Sequence, residues 1–239
     1  MRLHVIATGS RGNCYVLHDK GACLLLDAGI EAGKILSGLG QGSASVLGAL
    51  ITHQHKDHCK AVEELWRRGI VSYGSIETGK AVPWIRTSTG AHRIGWFTCL
   101  PFPVSHCNPD GSPCPNVGWL ITNNNTKERM VYVTDFCALQ NTFPGIHYWL
   151  IECNYMEELI EYTHPALKSR LPNSHMSLTK LLAVFKANDL STCKQIVLCH
   201  GSRERLDAGK AAQVVAEATG IPTVVASAGL IVQLELEPY

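Results

Sequence analysis

The 239-residue chain is 46% hydrophobic and carries a formal net charge of +1. That length and composition suit a globular chain able to bury a full core, and they exclude an intrinsically disordered tail. The near-neutral balance excludes a protein that grips long nucleic acid by bulk charge alone, and leaves room for a local basic patch or a small phosphorylated substrate.

In chain order, residues 3–7, 14–17 and 23–26 are apolar runs separated by Gly, Ser, Asn and Asp, which predicts three strands. The turn Thr8-Gly9-Ser10-Arg11-Gly12-Asn13 joins the first two. A short helix is predicted over 30–39, ended by Gly40. A buried strand at 46–51 precedes a helix over 59–68, with Ala61, Val62, Leu65 and Trp66 on one stripe and Gly69 as its stop. Strands follow at 70–73, 96–104, 117–121 and 130–134, the last two forming a hairpin through Asn123-Asn124-Asn125. A strand at 148–151, helices over 156–162 and 177–188, and a strand at 195–199 come next. A helix over 206–218 stops at Gly220, and strands at 223–226 and 230–234 close the chain. Mixed strands and helices without a repeat or linker imply a sheet covered by helices, in one domain over 1–239.

The chain enters its first strand without the apolar segment of a signal peptide. No apolar run reaches the roughly 20 residues that span a bilayer. The expectation is a cytoplasmic protein with no membrane partner. Ten cysteines occur without a Cys-x-x-Cys spacing, so reduced thiols, mostly acting as small buried hydrophobes, are expected.

The densest chemical signal is His53-Gln54-His55-Lys56-Asp57-His58. Imidazole and carboxylate are the usual ligands of zinc, manganese and iron. Alternation at 53, 55 and 57 points three side chains to one side of an extended loop, while His58, at the start of the following helix, reaches elsewhere. One segment can thus feed two metal sites. Further ligand types share this setting: apolar runs lead into His106, into Asp135 and into His200. If these strands share a sheet, loops at one rim gather all of them, as sites gather in α/β folds.

At these residues the sequence resembles the metallo-β-lactamase superfamily, whose mark is His-x-His-x-Asp-His after a buried strand, and the likeness runs from Leu25-Leu26-Asp27-Ala28-Gly29 to His200. Gly9-Ser10-Arg11-Gly12-Asn13-Cys14 and the stretch from His106 to Trp119 are similar to its small exonuclease-like branch, the YycJ/WalJ type; phosphodiesterases of phosphonate metabolism are similar as well. The resemblance implies an α/β fold, an αββα sandwich of two β-sheets packed face to face with helices outside. It implies two divalent metal ions (zinc or manganese, with iron also compatible). His53, His55 and His106 would hold one ion, Asp57, His58 and His200 the other, and Asp135 would bridge them, with Asp27 behind the ligands orienting a histidine. Asp57 and His175 are the catalytic candidates, because Ser174-His175-Met176-Ser177 is similar to a His-x-Ser of the superfamily's nucleases and phosphodiesterases, whose His faces the scissile phosphate.

The implied reaction is phosphodiester hydrolysis by metal-activated hydroxide, with DNA as the leading substrate. A small cyclic or alkyl phosphodiester is the alternative, and a thioester or lactone the third. No room exists for the inserted domain or protruding arm of the larger RNA-processing relatives. Ser10 and Asn13, on a turn whose amides can bind phosphate, are weak substrate-binding candidates. Lys168, Arg170, Arg203 and Arg205 are the candidate nucleic-acid contacts.

Overall fold

The computed structural model describes residues 1–39, 45–161 and 163–235. Two seven-stranded sheets stand face to face. The first half of the chain supplies β1 (Arg2–Ala7), β2 (Cys14–Asp19), β3 (Ala22–Leu26), α1 (Ala32–Gly38), β4 (Ser45–Leu50), α2 (Lys56–Cys59), α3 (Val62–Arg67), β5 (Ser72–Gly74), α4 (Ile76–Ala81) and β6 (Ile85–Thr87). The second supplies β7 (His92–Ile94), β8 (Phe97–Val104), β9 (Asn116–Asn123), β10 (Arg129–Val133), β11 (Tyr148–Glu152), α5 (Pro165–Ser174), α6 (Leu178–Lys186), β12 (Gln195–Cys199), α7 (Ala208–Thr219), β13 (Thr223–Val225) and β14 (Ile231–Gln233). The sheet orders are β14-β1-β2-β3-β4-β5-β6 and β13-β12-β11-β10-β9-β8-β7. Each sheet begins as an antiparallel meander and continues as parallel strands, β3 to β6 in one and β10 to β13 in the other.

The strand alternation sorts the core into layers. Tyr15, Leu17, Leu24 and Leu26 meet Phe97, Trp119, Tyr132 and Leu150 between the sheets. Their neighbours Val16, Leu25 and Ala49 point outward and are covered by Ile35, Val62 and Leu65. On the far side, Val131, Trp149, Ile151 and Leu198 are covered by Leu181, Phe185, Ala211 and Val215. Parallel strands with both faces covered must be apolar throughout, which is why β3 and β11 are buried at every position. The result is the αββα sandwich that the resemblance implied. Among the described residues no helix is long and apolar enough to cross a membrane.

The elements differ from the sequence expectation in several places, and α4, β6 and β7, in the stretch between 74 and 95, were not expected at all. The single helix expected over 59–68 is two, because Asp57 O accepts from Asn13 N at 2.8 Å and Ala61 N donates to Ala28 O at 2.9 Å. The carbonyl that would carry the helix through Ala61 is therefore taken. Trp66 is half exposed and stacks on Trp84 at 4.6 Å instead of entering the core. The helix expected over 156–162 is only a 3-10 turn at Glu157–Leu159, with Met156 N drawn off to Arg205 O; Tyr162 lies outside the described residues, as does the Gly40 stop. Helix α5, which the hydrophobic pattern does not predict, carries an internal Pro172, and among its described side chains Leu171 is the buried apolar one and Ser174 the buried polar one. All ten cysteines are free thiols, eight of them buried.

The segment Asp27-Ala28-Gly29 packs backbone to backbone on the His-rich loop: Ala28 N donates to His58 O, and Gly29 N to Asn13 O, both at 2.8 Å. A Cβ at Gly29 would lie 1.6 Å from Asp57 O. Gly29→Ala is therefore expected to cost about 3 kcal/mol in denaturant unfolding, at the upper end of overpacking penalties; wild-type stability in that variant would show that the two segments are free to separate.

Candidate metal centre

Strand ends aim the chemistry. β3 runs into Asp27, β10 into Thr134 and Asp135, and β12 into His200. Asp27, Asp135 and His200 adopt positive φ, +57°, +52° and +52° respectively. For a residue with a side chain this conformation is uncommon and costs roughly 1–3 kcal/mol, and it persists where the surroundings over-determine it. Here it turns the chain off each strand and swings the side chain toward one rim.

At that rim the seven residues expected to be ligands come together. Ligand-type atoms of His53, His55 and His106 lie within 4.8 Å of one another, as do those of Asp57, His58 and His200, and those of His53, His58 and Asp135. Asp135 sits between the groups: its Oδ2 is 3.0 Å from His58 Nε2 and 3.5 Å from His200 Nε2.

The protein's own hydrogen bonds decide which ring nitrogens are left over. His106 Nδ1 is held by Ser174 O at 2.9 Å, and His53 Nδ1 by Thr52 Oγ1 at 3.0 Å. His58 Nδ1 donates to Asp27 Oδ2 at 2.6 Å, and His200 Nδ1 to Glu152 Oε1 at 3.0 Å. His55 reverses the pattern, with Nε2 on Asn108 Oδ1 at 2.9 Å. Where the outer nitrogen carries the only proton, the nitrogen facing inward presents a lone pair. His106 Nε2 and His200 Nε2 are buried with no hydrogen-bond partner among the described residues, and His53 Nε2 faces His55 Nδ1 at 2.9 Å. Two lone pairs that close repel unless a cation or a proton lies between them. The residues present thus fit divalent metal ions, whose histidine ligands are neutral and are oriented through the other nitrogen.

Electrostatics divide the histidines. Burial drives His53 well below the ordinary histidine range, reinforced by the neighbouring His58. Burial would lower His58 too, but Asp135 and Asp27 hold it well above that range. Burial would raise Asp135, and the charges of His200 and His58 hold it well below the usual carboxylate range. Burial also opposes ionisation of Asp57, yet its contact with His58 lowers it.

Asp27 is fully buried and accepts from Thr52 N at 2.8 Å, from Thr52 Oγ1, from His58 Nδ1 and from Tyr132 OH at 2.6 Å. It thus stands behind the ligands as expected. His175 reaches the same rim: its Nδ1 donates to Glu152 Oε1 at 2.7 Å and lies 3.5 Å from Asp135 Oδ1. Burial alone would lower its pKa, but Glu152 raises it. Ser10 is exposed on the wall of an open cleft of about 870 Å³ that leads to the centre. Asn13 is placed otherwise than expected. It is fully buried beneath the turn, with Oδ1 accepting from Gly9 N and Nδ2 against Gly9 O, Asp57 O and His58 Nε2. Its amide is consumed in holding the ligand loop and does not line the cleft.

Glu152, Thr52, Tyr132 and Asn108 were missed from the sequence. Glu152 had a signal, since the apolar run 148–151 ends on it in the same way that other runs end on His or Asp. The other three had none, because the partners that give them their roles, Asp27 for Thr52 and Tyr132 and His55 for Asn108, are distant in the chain.

Asp27→Ala is expected to lose about 3–5 kcal/mol of stability, since His58, Thr52 and Tyr132 all lose their partner. Asp27→Asn, which keeps the shape, is expected to weaken metal binding about 10- to 100-fold, read by competition with a chromogenic chelator. Unchanged affinity would show that the carboxylate does not orient His58.

Residues 7–95 match the model of the metallo-β-lactamase superfamily. Over 82 residues, which are 33% of this chain and 30% of the relative, the sequence is 34% identical to exodeoxyribonuclease WalJ of Streptococcus pneumoniae; the match thus spans less than a third of that relative. In fold, the chain is similar to the metallo-β-lactamase fold protein YhfI from Bacillus subtilis (TM-score 0.69, 15% identity, 97% of this chain and 99% of that one). It is also similar to the short form of human tRNase Z (TM-score 0.62, 13% identity, 98% and 100%). The family model spans β2 to β6 and the His-rich loop, and the likeness of fold to the metallo-β-lactamase fold protein YhfI carries on through the second sheet to His200: the chain has the metallo-β-lactamase fold, and its residues 7–95 carry the superfamily's sequence pattern.

Proposed function

We propose that the chain is a dinuclear metal-dependent phosphodiester hydrolase, acting on DNA as an exonuclease-like nuclease. The observation that carries this reading is His175, a partly exposed histidine on the cleft wall beside two ligand clusters, braced by the buried Glu152. His53, His55 and His106 would hold one ion, and Asp57, His58 and His200 the other, with Asp135 shared. A bound divalent pair supplies charge neutralisation at the phosphoryl oxygens and a hydroxide nucleophile near neutral pH.

The side chains do the rest. His175 Nδ1 is spent on Glu152, so Nε2 is the nitrogen left to hold a phosphate oxygen or to protonate the leaving oxygen. Glu152, at once on His175 and His200, keeps both rings in register. Asp57 is 31% exposed at the side chain and is the carboxylate of the second group that the cleft reaches.

The cleft wall supports a polymeric substrate. Arg11, Lys56, Arg170, Arg203 and Arg205 line it, against Asp57, Asp135 and Glu204. Arg205 is engaged with Glu204, Ser202 and Thr163. Arg11, Lys56, Arg170 and Arg203 have no carboxylate partner among the described residues, and Arg170 Nε is buried without any partner there. Lys168, expected with them, is exposed on α5 and does not line the cleft. Unpaired cations along a groove suit a chain of phosphates, whose binding they make salt-dependent.

A metal-screened assay on end-labelled single- and double-stranded DNA, run beside bis-p-nitrophenyl phosphate, a cyclic nucleotide and a thioester, tests the reading. Asp135→Ala is expected to abolish phosphodiester turnover, and full turnover would sink the two-metal assignment. His175→Ala is expected to lose roughly 10²- to 10⁴-fold with metal content unchanged. For Arg170→Ala/Arg203→Ala, the slope of log affinity against log salt on single-stranded DNA is expected to fall by roughly 0.7 for each phosphate that is no longer neutralised. Turnover of the small diester alone would move the assignment to a small-molecule phosphodiesterase.

A further inference from the structure

The three histidines of the first group are braced unequally. His53 and His106 are held from inside the fold, by Thr52 and by the Ser174 carbonyl. His55 is held by a surface turn. Residues 107–114 form a tight reversal, with Cys107 bridging Pro113, Asn108 N donating to Ser112 O at 2.8 Å and Gly111 N to Asn108 O at 2.9 Å. Two of its side chains meet His55 Nε2: Asn108 Oδ1, in a hydrogen bond at 2.9 Å, and, as a longer and weaker contact, the Cys114 sulfur at 3.7 Å.

The direction of that bond is fixed by what surrounds it. Ser112 Oγ donates to Asp110 Oδ1 at 2.6 Å, so it accepts from Asn108 Nδ2 at 3.0 Å. The Pro113 carbonyl, which can only accept, is also on Nδ2, at 3.3 Å. The amide nitrogen must therefore face the turn and the amide oxygen must face His55. An oxygen that only accepts requires the proton on His55 Nε2. That leaves Nδ1 bare, and Nδ1 is the atom 2.9 Å from His53 Nε2. The polarity runs one way, from the Asp110 carboxylate through Ser112 and Asn108 to His55.

We propose that Asn108 is a positioning residue that selects the His55 tautomer, and through it sets the metal affinity of the His53/His55/His106 group independently of the Asp57/His58/His200 group. The proposal rests on reading these groups as metal sites. Because Pro109 and Cys107 of the same turn line the cleft, the wall that meets substrate is also the part that prepares the first ion's ligand. The turn is at the surface, so substitutions in it leave the core intact.

The test compares the wild type with Asn108→Ala, Asn108→Leu and Asn108→Asp, first free of metal and then titrated with zinc and with cobalt. In the metal-free wild type, ¹⁵N shifts of His55 are expected to report the Nε2–H tautomer, and in Asn108→Ala and Asn108→Leu a mixture with Nδ1–H. Zinc competition with a chromogenic chelator is expected to show one of two binding steps weakened about 10- to 100-fold in those two variants, with the other unchanged and the cobalt absorption of one site altered. Asn108→Asp, which restores an accepting oxygen, is expected to recover the affinity. Wild-type affinity in Asn108→Ala, equal weakening of both steps, or an unchanged tautomer would each overturn the proposal. If the wild type takes up neither metal, the metal reading falls, and the tautomer measurement alone still decides the role of Asn108.

Discussion

A single buried carboxylate holds the centre together. Asp27 leaves the first sheet at the end of β3, takes the hydroxyl of Tyr132 from the second sheet, and braces Thr52 and His58 on the ligand loop. Removing a charge from water is expensive unless donors replace the hydration lost. Here an amide, two hydroxyls and an imidazole do so, and each of them is itself held where the site needs it. Thr52 passes the constraint on: its hydroxyl donates to Asp27 and accepts from His53 Nδ1. Both ligand groups are thereby referred to one anchor, and the gap between the sheets cannot change without disturbing them.

The second buried carboxylate, Glu152, does for the far side what Asp27 does for the near one. It holds His200 and His175 through their Nδ1 atoms and takes the backbone amide of Phe136, so the end of β11 is tied to the loop after β10. Its ionised form is favoured by His175 and the two ring contacts, against a burial that disfavours it. The centre therefore has two halves with the same logic, a carboxylate behind and imidazoles in front, with Asp135 where they meet. The first histidine group departs from this logic at His55, whose brace is a neutral amide on the surface.

Most of the longer strands were legible in the hydrophobic pattern, since parallel strands covered on both faces must be apolar runs such as β3 and β11, while their arrangement in two sheets between helical layers came from the resemblance. Legibility failed where a tertiary contact overrode local preference. The helix over 59–68 breaks because Asn13 occupies a carbonyl that the helix needed. Helix α5 was invisible because Pro165-to-Ser174 carries few apolar side chains and rests on a small satellite of Tyr155, Ile160 and Leu171. Asn13 reads as a donor on a glycine-rich turn, yet the turn folds over it and buries the amide.

By itself the amino-acid order determined which ligand-type side chains gather on one loop, because His53, His55, Asp57 and His58 lie within six residues and the spacing that separates them is local geometry. It also determined that His106, Asp135 and His200 follow apolar runs, hence that strands deliver them. Only the tertiary structure decided which nitrogen of each imidazole faces inward. For most of them that choice depends on hydrogen bonds from residues 31 to 68 positions away, such as Asp27 to His58, Asn108 to His55 and Ser174 to His106. A one-dimensional pattern carries the type of a side chain, but the lone pair it presents is set by its neighbours in space.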